Sequence, residues 1–185
     1  MPSLDENPFW DFSLAVYDRA GVAPACLALQ DRHGLDVNLL LFCLWAGACG
    51  RALTAAELDG LIAAVRPWQD GVVAPLRAVR RWLKAQQSVP NASAAALRSA
   101  IKERELDAEA IEQEILFAHI PIPAAPAAPA AAAANLALYL TAAGISPDSD
   151  DTARLAALLR AGFPELAPPD ALRLLEGCMG PAGER

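Results

Sequence analysis

The 185-residue chain contains few of the side chains that most often bind metals or act as catalytic nucleophiles. Its histidines are His33 and His119, and its four cysteines form no Cys-x-x-Cys pair. Protein metal sites usually combine several such ligands at short spacing, so the sequence favours no metal centre. A Gly-x-Ser-x-Gly turn and a glycine-rich phosphate loop are also missing. We therefore assign no catalytic residue from the sequence and expect no cofactor.

Charged residues are scarce, at 20% of the chain, and the net charge is −7. This charge argues against binding to nucleic acid, which requires Lys and Arg side chains to replace counterions along phosphates. Residues 1–7 lack the basic and apolar regions of a secretory signal, and the most apolar stretch, residues 37–50, is shorter than the ~20 residues that cross a membrane. We expect a cytoplasmic protein that does not insert into membranes and keeps its cysteines reduced.

The sequence pattern of β-strands is missing too, because β-branched residues do not alternate with polar residues over a stretch long enough to form a strand. Apolar residues instead recur at helical spacing, and helix start signals precede several of these stretches. The clearest start signals are Asn7-Pro8, Asp36 and the capping-box sequence Thr54-Ala55-Ala56-Glu57. The sequence thus predicts an all-α protein, a compact multi-helix bundle with a long charged helix, a Pro/Ala-rich linker and a short helical C-terminal tail.

The composition divides this predicted fold into three segments. Residues 7–118 contain five helices and the charged helix, and we expect them to form the core domain. Residues 119–134 alternate proline and alanine, a composition typical of a semi-rigid extended linker. Residues 135–180 are expected to form a small helical segment.

Three details of individual helices also follow from the sequence. The third helix, from Val37 to about Cys49, is apolar nearly all round, which predicts a central position. The fourth helix is expected to end before Pro67, because proline interrupts the helical hydrogen bonds. The charged helix, over residues 93–118, has Asp107 as a place where a break and a new cap could occur.

The first part of the chain resembles a family of bacterial proteins known as DUF2390 or TIGR02444. The resemblance covers roughly residues 7–116 and is most specific in the first 47. It implies a proteobacterial protein of a family without an established activity, and it supplies no functional residues to carry over. The matching stretches are NPFWDFSL at 7–14, CLALQD at 26–31, GLDVNLLLFCLWAG at 34–47, and the block from Trp68 through PLRAVRR at 75–81.

The densest group of polar residues lies between the second and third helices, beside the most apolar helix. It could form the polar side of a ligand pocket whose apolar side is aromatic. Helix caps and a glycine stop explain the same residue types, so a purely structural role is the main alternative. The candidate pocket residues are Trp10, Tyr17, Gln30, Asp31, His33, Asp36, Asn38 and Trp45.

A second group is basic and lies on the fifth helix. Its spacing places the cations along one broad helix face, where they could bind an anion or an acidic partner, with a tryptophan available for stacking. The alternative is a solvated face paired with acids such as Glu57 and Asp59. The group consists of Arg77, Arg80, Arg81, Lys84 and Trp82.

Two functions remain open at this point. The linker, the tail and the amphipathic charged helix favour a non-catalytic interaction or adaptor protein with a protein partner or with self-association. The alternative is a small helical enzyme or ligand-binding protein with a pocket at the junction of helices 1–3.

Overall fold

The computed structural model describes residues 7–85 and 91–179, and it confirms the predicted all-α bundle, since the described residues contain no strand. A π-helical turn, Gln69–Val73, joins the fourth and fifth helices. The helices are α1 (Pro8–Tyr17), α2 (Val22–His33), α3 (Val37–Ala48), α4 (Ala55–Trp68), α5 (Ala74–Ala85), α6 (Asn91–His119), α7 (Pro129–Ala142), α8 (Ser149–Gly162) and α9 (Pro168–Met179).

The predicted helix start signals form the caps that their sequences favour. The Asn7 side chain accepts hydrogen bonds from the first amides of α1, and the Asp36 side chain accepts one from the Asn38 amide of α3. Thr54 and Glu57 form a reciprocal capping box at the start of α4. These interactions satisfy backbone amides that have no partner within the helix, and they fix where each helix begins.

Two predicted helix boundaries differ from the structure. Pro67 lies inside α4, which runs to Trp68 and continues directly into the π-helical turn. Since proline lacks an amide hydrogen, the local hydrogen-bond register changes there, but the chain does not leave the helical path. The charged helix α6 is continuous through Asp107, whose carboxylate pairs with Arg104 at 2.6 Å and does not cap a new helix.

Helix α3 lies at the centre of the core, as its apolar composition predicts. Nearly every residue from Asn38 to Gly47 is buried. Phe9 of α1 and Phe42 of α3 pack edge to face with ring centroids 5.1 Å apart, and Trp45 lies 5.4 Å from both rings. These aromatic contacts fix α1 against α3.

The C-terminal helices share this core. The chain has no regular secondary structure from Pro121 to Ala128. Helix α7 then begins at Pro129, inside the stretch predicted to be a linker, and it packs along α3. A Cβ atom at Gly47 would lie only 2.4 Å from the Cβ of Ala132, so the absence of a side chain allows this close approach. The first helix after the irregular Pro/Ala-rich segment therefore covers one face of the central helix, and the C-terminal tail is part of the same core.

A buried amide also connects α7 to the N-terminal part of the chain. The Asn135 side chain accepts a hydrogen bond from the Leu53 amide at 2.8 Å and donates to the carbonyls of Arg51 and Cys43 at 2.9 and 3.1 Å. Each polar atom of the Asn135 side chain has a hydrogen-bond partner, which makes the contact between α7 and the α3–α4 loop specific.

Within the described ranges, no single helix is both long and apolar enough to cross a membrane, although α1 and α2 together, bent by 98°, have the required length and composition.

Candidate ligand-binding site

An open cavity of about 500 Å³ lies between α1, α2, the first turns of α3, and the facing parts of α5 and α6. Helix α1 forms one wall because Trp10, Ser13, Leu14 and Tyr17 recur at spacings of three and four and share a face. Phe9 and Val16 of the same helix are buried in the core. The helix therefore contributes to both the core and the cavity.

Five of the eight residues predicted for a ligand pocket line this cavity. They are Trp10, Tyr17, Gln30, Asp36 and Asn38. The aromatic pair lies on α1, and the three polar residues lie on α2 and at the start of α3. The structure thus brings together residues from both sides of the junction between helices 1–3.

The other three predicted pocket residues lie elsewhere. Trp45 belongs to the aromatic core cluster, because it lies on the part of α3 that is enclosed by other helices. Asp31 is exposed and borders a smaller cavity of about 210 Å³. His33 contacts Asp151 of α8, with 2.8 Å between Nε2 and the carboxylate oxygen.

The contact of His33 is part of a charged cluster that joins α2 to α8. Asp151 is buried and also lies 3.2 Å from the guanidinium groups of both Arg32 and Arg154. The Asp151 backbone amide donates to the Asp148 carboxylate, and the Asp151 carboxylate accepts from the Asp148 backbone amide. The two residues thus form the capping box of α8. The predicted polar cluster is therefore divided between a cavity and a contact that holds two helices together.

Asp36 of the cavity lining forms a pair of carboxyl groups with the buried Glu112. They lie within hydrogen-bonding reach of each other, and Glu112 is completely buried. Among the described residues, neither Oδ2 of Asp36 nor Oε1 of Glu112 has another hydrogen-bond partner. A single proton shared between the two carboxyl groups satisfies both oxygens.

Burial is the main cause that raises the pKa of Glu112 to about 9, and the hydrogen bond and negative charge of Asp36 contribute in the same direction. Loss of contact with water disfavours the charged carboxylate, and a second carboxylate beside it would repel it. Glu112 is therefore the protonated partner near neutral pH, and the pair carries one negative charge.

Asn38 holds this pair in position. Its amide nitrogen donates to Oε2 of Glu112 at 2.9 Å, and its side-chain oxygen accepts from Nε2 of Gln113 at 2.8 Å. Helix α7 contributes Tyr139, whose hydroxyl accepts the backbone amide hydrogen of Asp36 at 2.9 Å. The carboxyl pair is thus fixed by α3, α6 and α7 together, which restricts its geometry.

Arginines and glutamates form the wall opposite α1. Arg77 donates to Glu105 at 3.0 Å and to Glu109 at 2.6 Å, and Arg80 donates to both oxygens of Glu105. Burial alone would raise the pKa of Glu105, but the hydrogen bonds from Arg80 and Arg77 outweigh it and lower the pKa. For Glu109, burial dominates and raises the pKa despite Arg77.

These pairs separate the predicted basic face into two parts. Arg77 and Arg80 face the cavity and are paired with acids of α6, whereas Glu57, one of the acids considered for them, pairs with Arg51. Arg81, Trp82 and Lys84 are exposed. Arg81 borders the smaller cavity and lies 3.9 Å from Asp31, a distance at which an exposed pair contributes little.

Four residues of α6 near or in this site were not predicted from the sequence: Glu105, Glu109, Glu112 and Gln113. A signal was present, because residues 105, 109, 112 and 116 follow helical spacing and Leu116 is fully buried in the core. Acids on the same face as a core leucine are expected to be partly buried. In the part of the chain that the structure describes, no group of three or more His, Cys, Asp or Glu side chains is arranged to hold a metal ion.

Comparison with known proteins gives one match. The sequence model of the family DUF2390, described as a protein of unknown function, matches residues 8–116, which run from α1 into α6. No curated protein and no solved structure matches the chain significantly.

Proposed function

We propose that this chain, which belongs to the DUF2390 family, is a small-molecule-binding protein whose ligand occupies the cavity between α1, α2, α3, α5 and α6. The observation that carries the proposal is the lining of this cavity, which combines aromatic rings with buried polar side chains. The volume of about 500 Å³ is within the range of small-molecule sites.

The distribution of polarity around the cavity supports this role. Leu14, Leu27 and Leu106 line the cavity and are about half exposed, so they offer apolar surface to water in the absence of a ligand. Asp36 and Gln113 are buried polar groups of the same lining. A ligand with an apolar body and a polar group would cover the leucines and contact the polar groups at once.

Two variants of α6 provide a matched test. Leu106 and Leu97 are 51% and 52% exposed, but only Leu106 lines the cavity. We expect Leu106→Trp to obstruct the cavity and Leu97→Trp to leave it open. Because both changes add an indole at a comparably exposed position, both variants should fold.

The measurement is a ligand-detected NMR screen of a fragment library that contains neutral, acidic and basic members. The proposal predicts fragments that bind the wild-type chain and Leu97→Trp but lose their signal with Leu106→Trp. A screen in which no fragment binds, or in which the fragments bind Leu106→Trp as well as they bind the wild-type chain, would contradict a ligand site in this cavity.

Contact with a protein partner or a second copy is a second candidate function. It is favoured by Trp82, which is 58% exposed, and by Val79, three residues earlier on the same face of α5. Exposed tryptophan is enriched at protein interfaces. Sedimentation of the wild-type chain and of Trp82→Ala over a range of concentrations tests self-association, and a monomer at all concentrations would exclude the second copy.

We also propose a cytoplasmic location in a bacterium. The four cysteines are free, and burial raises the pKa of Cys26 and Cys43 to about 12, which keeps these thiols protonated. Reduced thiols suit a reducing compartment. Fractionation of cells that produce the protein tests the location.

A further inference from the structure

Three polar side chains of the cavity lining have buried oxygen atoms that can accept hydrogen bonds. Ser13, Asp36 and Gln113 all line the cavity and are more than nine-tenths buried. Within residues 7–85 and 91–179, Oγ of Ser13 and Oε1 of Gln113 have no hydrogen-bond partner. Buried oxygens without partners are uncommon in proteins, and a donor from a bound molecule would satisfy them.

The charges of the lining point in the same direction. Arg77 and Arg80 are already paired with Glu105 and Glu109. Besides Asp36, the other charged residues of the lining are Lys102 and Asp18, which are exposed and opposite in sign. The carboxyl pair formed by Asp36 and Glu112 carries one negative charge, and among the described side chains no cation forms an ion pair with Asp36. A buried negative charge without a cationic partner favours a positively charged ligand.

The aromatic wall suits the same kind of ligand. Trp10 and Tyr17 lie on the cavity face of α1, and the faces of their rings attract a cation or pack against an apolar group. A protonated amine combines the positive charge with N–H donors. From these three observations we infer that the cavity binds an organic amine, with its ammonium group at Asp36 and its apolar body against Trp10 and Tyr17.

This inference rests on the proposed ligand-binding function and adds the class of ligand. It also predicts proton release on binding. The titratable groups that face Glu112 are Asp36 of α3, Glu109 of α6 and Tyr139 of α7. Burial is the main cause of the raised pKa of Glu112, and the negative charge of Asp36 adds to it. An ammonium group beside Asp36 offsets that charge, so binding lowers the pKa of Glu112 and favours loss of its proton.

Three probes with the same indole ring test the class of ligand: tryptamine, the neutral alcohol tryptophol, and indole-3-acetate. Isothermal titration calorimetry at pH 7.5 should give tryptamine the highest affinity, about tenfold or more above that of tryptophol, because a hydrogen bond to a charged group is stronger than a neutral one. Equal affinities, a preference for the acid, or no binding by any of the three would overturn the inference.

Variants then locate the ammonium group. Asp36→Asn removes the charge but keeps a good helix cap, so the fold should survive while the preference for tryptamine disappears. Asp31→Asn, an exposed acid outside the cavity, should leave the preference unchanged. An Asp36→Asn variant that keeps the full preference for tryptamine would overturn the placement.

Proton release is measured with an indicator dye in weakly buffered solution. It should accompany tryptamine binding to the wild-type chain and to Glu103→Gln, an exposed control on α6, but not to Glu112→Gln. Release that persists in Glu112→Gln would contradict the inference. If other fragments bind in the Leu106→Trp comparison but amines do not, the ligand-binding function stands and the amine inference fails.

Discussion

The carboxyl groups of Asp36 and Glu112 lie within hydrogen-bonding reach of each other in the interior of the protein. Asp36 caps α3 and Glu112 lies in the C-terminal part of α6, so the pair joins two helices that are far apart in the sequence. Because the two groups together retain a proton, the stability of the fold and the charge of the candidate site depend on the same titration.

The first prediction concerns the stability of the fold as a function of pH. The pKa of Glu112 is raised in the folded chain, so between the ordinary glutamate value of about 4.3 and the raised value the folded state binds more protons than the unfolded state. The contribution of Glu112 to the free energy of unfolding is therefore fully present below pH 4.3 and decreases as the pH rises through the raised value.

Glu112→Gln replaces the protonated carboxyl by a neutral amide of similar shape. We expect urea unfolding at pH 5, 7 and 9 to show that the free energy of unfolding decreases less with rising pH for this variant than for the wild-type chain. Glu103→Gln, on the exposed face of α6, is the control and should follow the wild type. A Glu112→Gln variant with an unchanged pH dependence would argue against the protonated carboxyl.

The second prediction concerns the close packing of α3 on α7. Gly47→Ala places a Cβ atom about where Ala132 already lies, and overpacking of this kind typically destabilises a core by about 1–3 kcal/mol. Gly177→Ala in α9, where a Cβ meets no other atom within 4 Å, is the matched control and should be neutral or stabilising. Thermal unfolding followed by circular dichroism measures both changes.

The third prediction concerns the charged cluster between α2 and α8. Asp151→Asn keeps the side-chain shape but removes a buried charge that contacts Arg32, His33 and Arg154. Hydrogen bonds to charged groups contribute about 1.5–3 kcal/mol each, so we expect a loss of at least about 1.5 kcal/mol in chemical unfolding. Asp150→Asn, an exposed neighbour, should change stability by less than about 0.5 kcal/mol.

The fourth prediction concerns whether the N-terminal part of the chain folds without α7–α9. A chain that ends at His119 lacks α7–α9 and exposes the face of α3 that packs on α7. It also leaves the Leu53 amide without Asn135 and the Asp36 amide without Tyr139. We expect this shorter chain to lack cooperative unfolding and dispersed amide NMR signals. A cooperatively folded fragment would instead support the predicted independent domain of residues 7–118.

Local signals in the sequence predicted much of the fold correctly. Asn7, Asp36 and Thr54 cap the helices that follow them, because a cap depends on only a few neighbouring residues. The apolar composition of α3 predicted its central position, because a helix without a polar face must be covered on all sides. Local chemistry decides such features, so one sequence is sufficient to predict them.

The candidate site was less accessible to sequence reasoning. Asp36 and Asn38 belong to an unusual polar cluster in the sequence, but their partner Glu112 is one of five glutamates on α6, and Gln113 lies beside it. Which of these side chains faces α3 depends on the rotation and position of α6. Helical spacing relative to Leu116 narrows the choice but does not identify the partner.

By itself, the sequence determined the all-α class, the caps and the central helix, because each follows from short-range hydrogen bonding or from the need to bury an apolar surface. Only the tertiary structure decided that Glu112 is buried beside Asp36, that His33 belongs to the contact with α8, and that α7 covers α3. These relationships join residues that are distant in the chain, and their energies depend on burial and distance, which the packed helices alone establish.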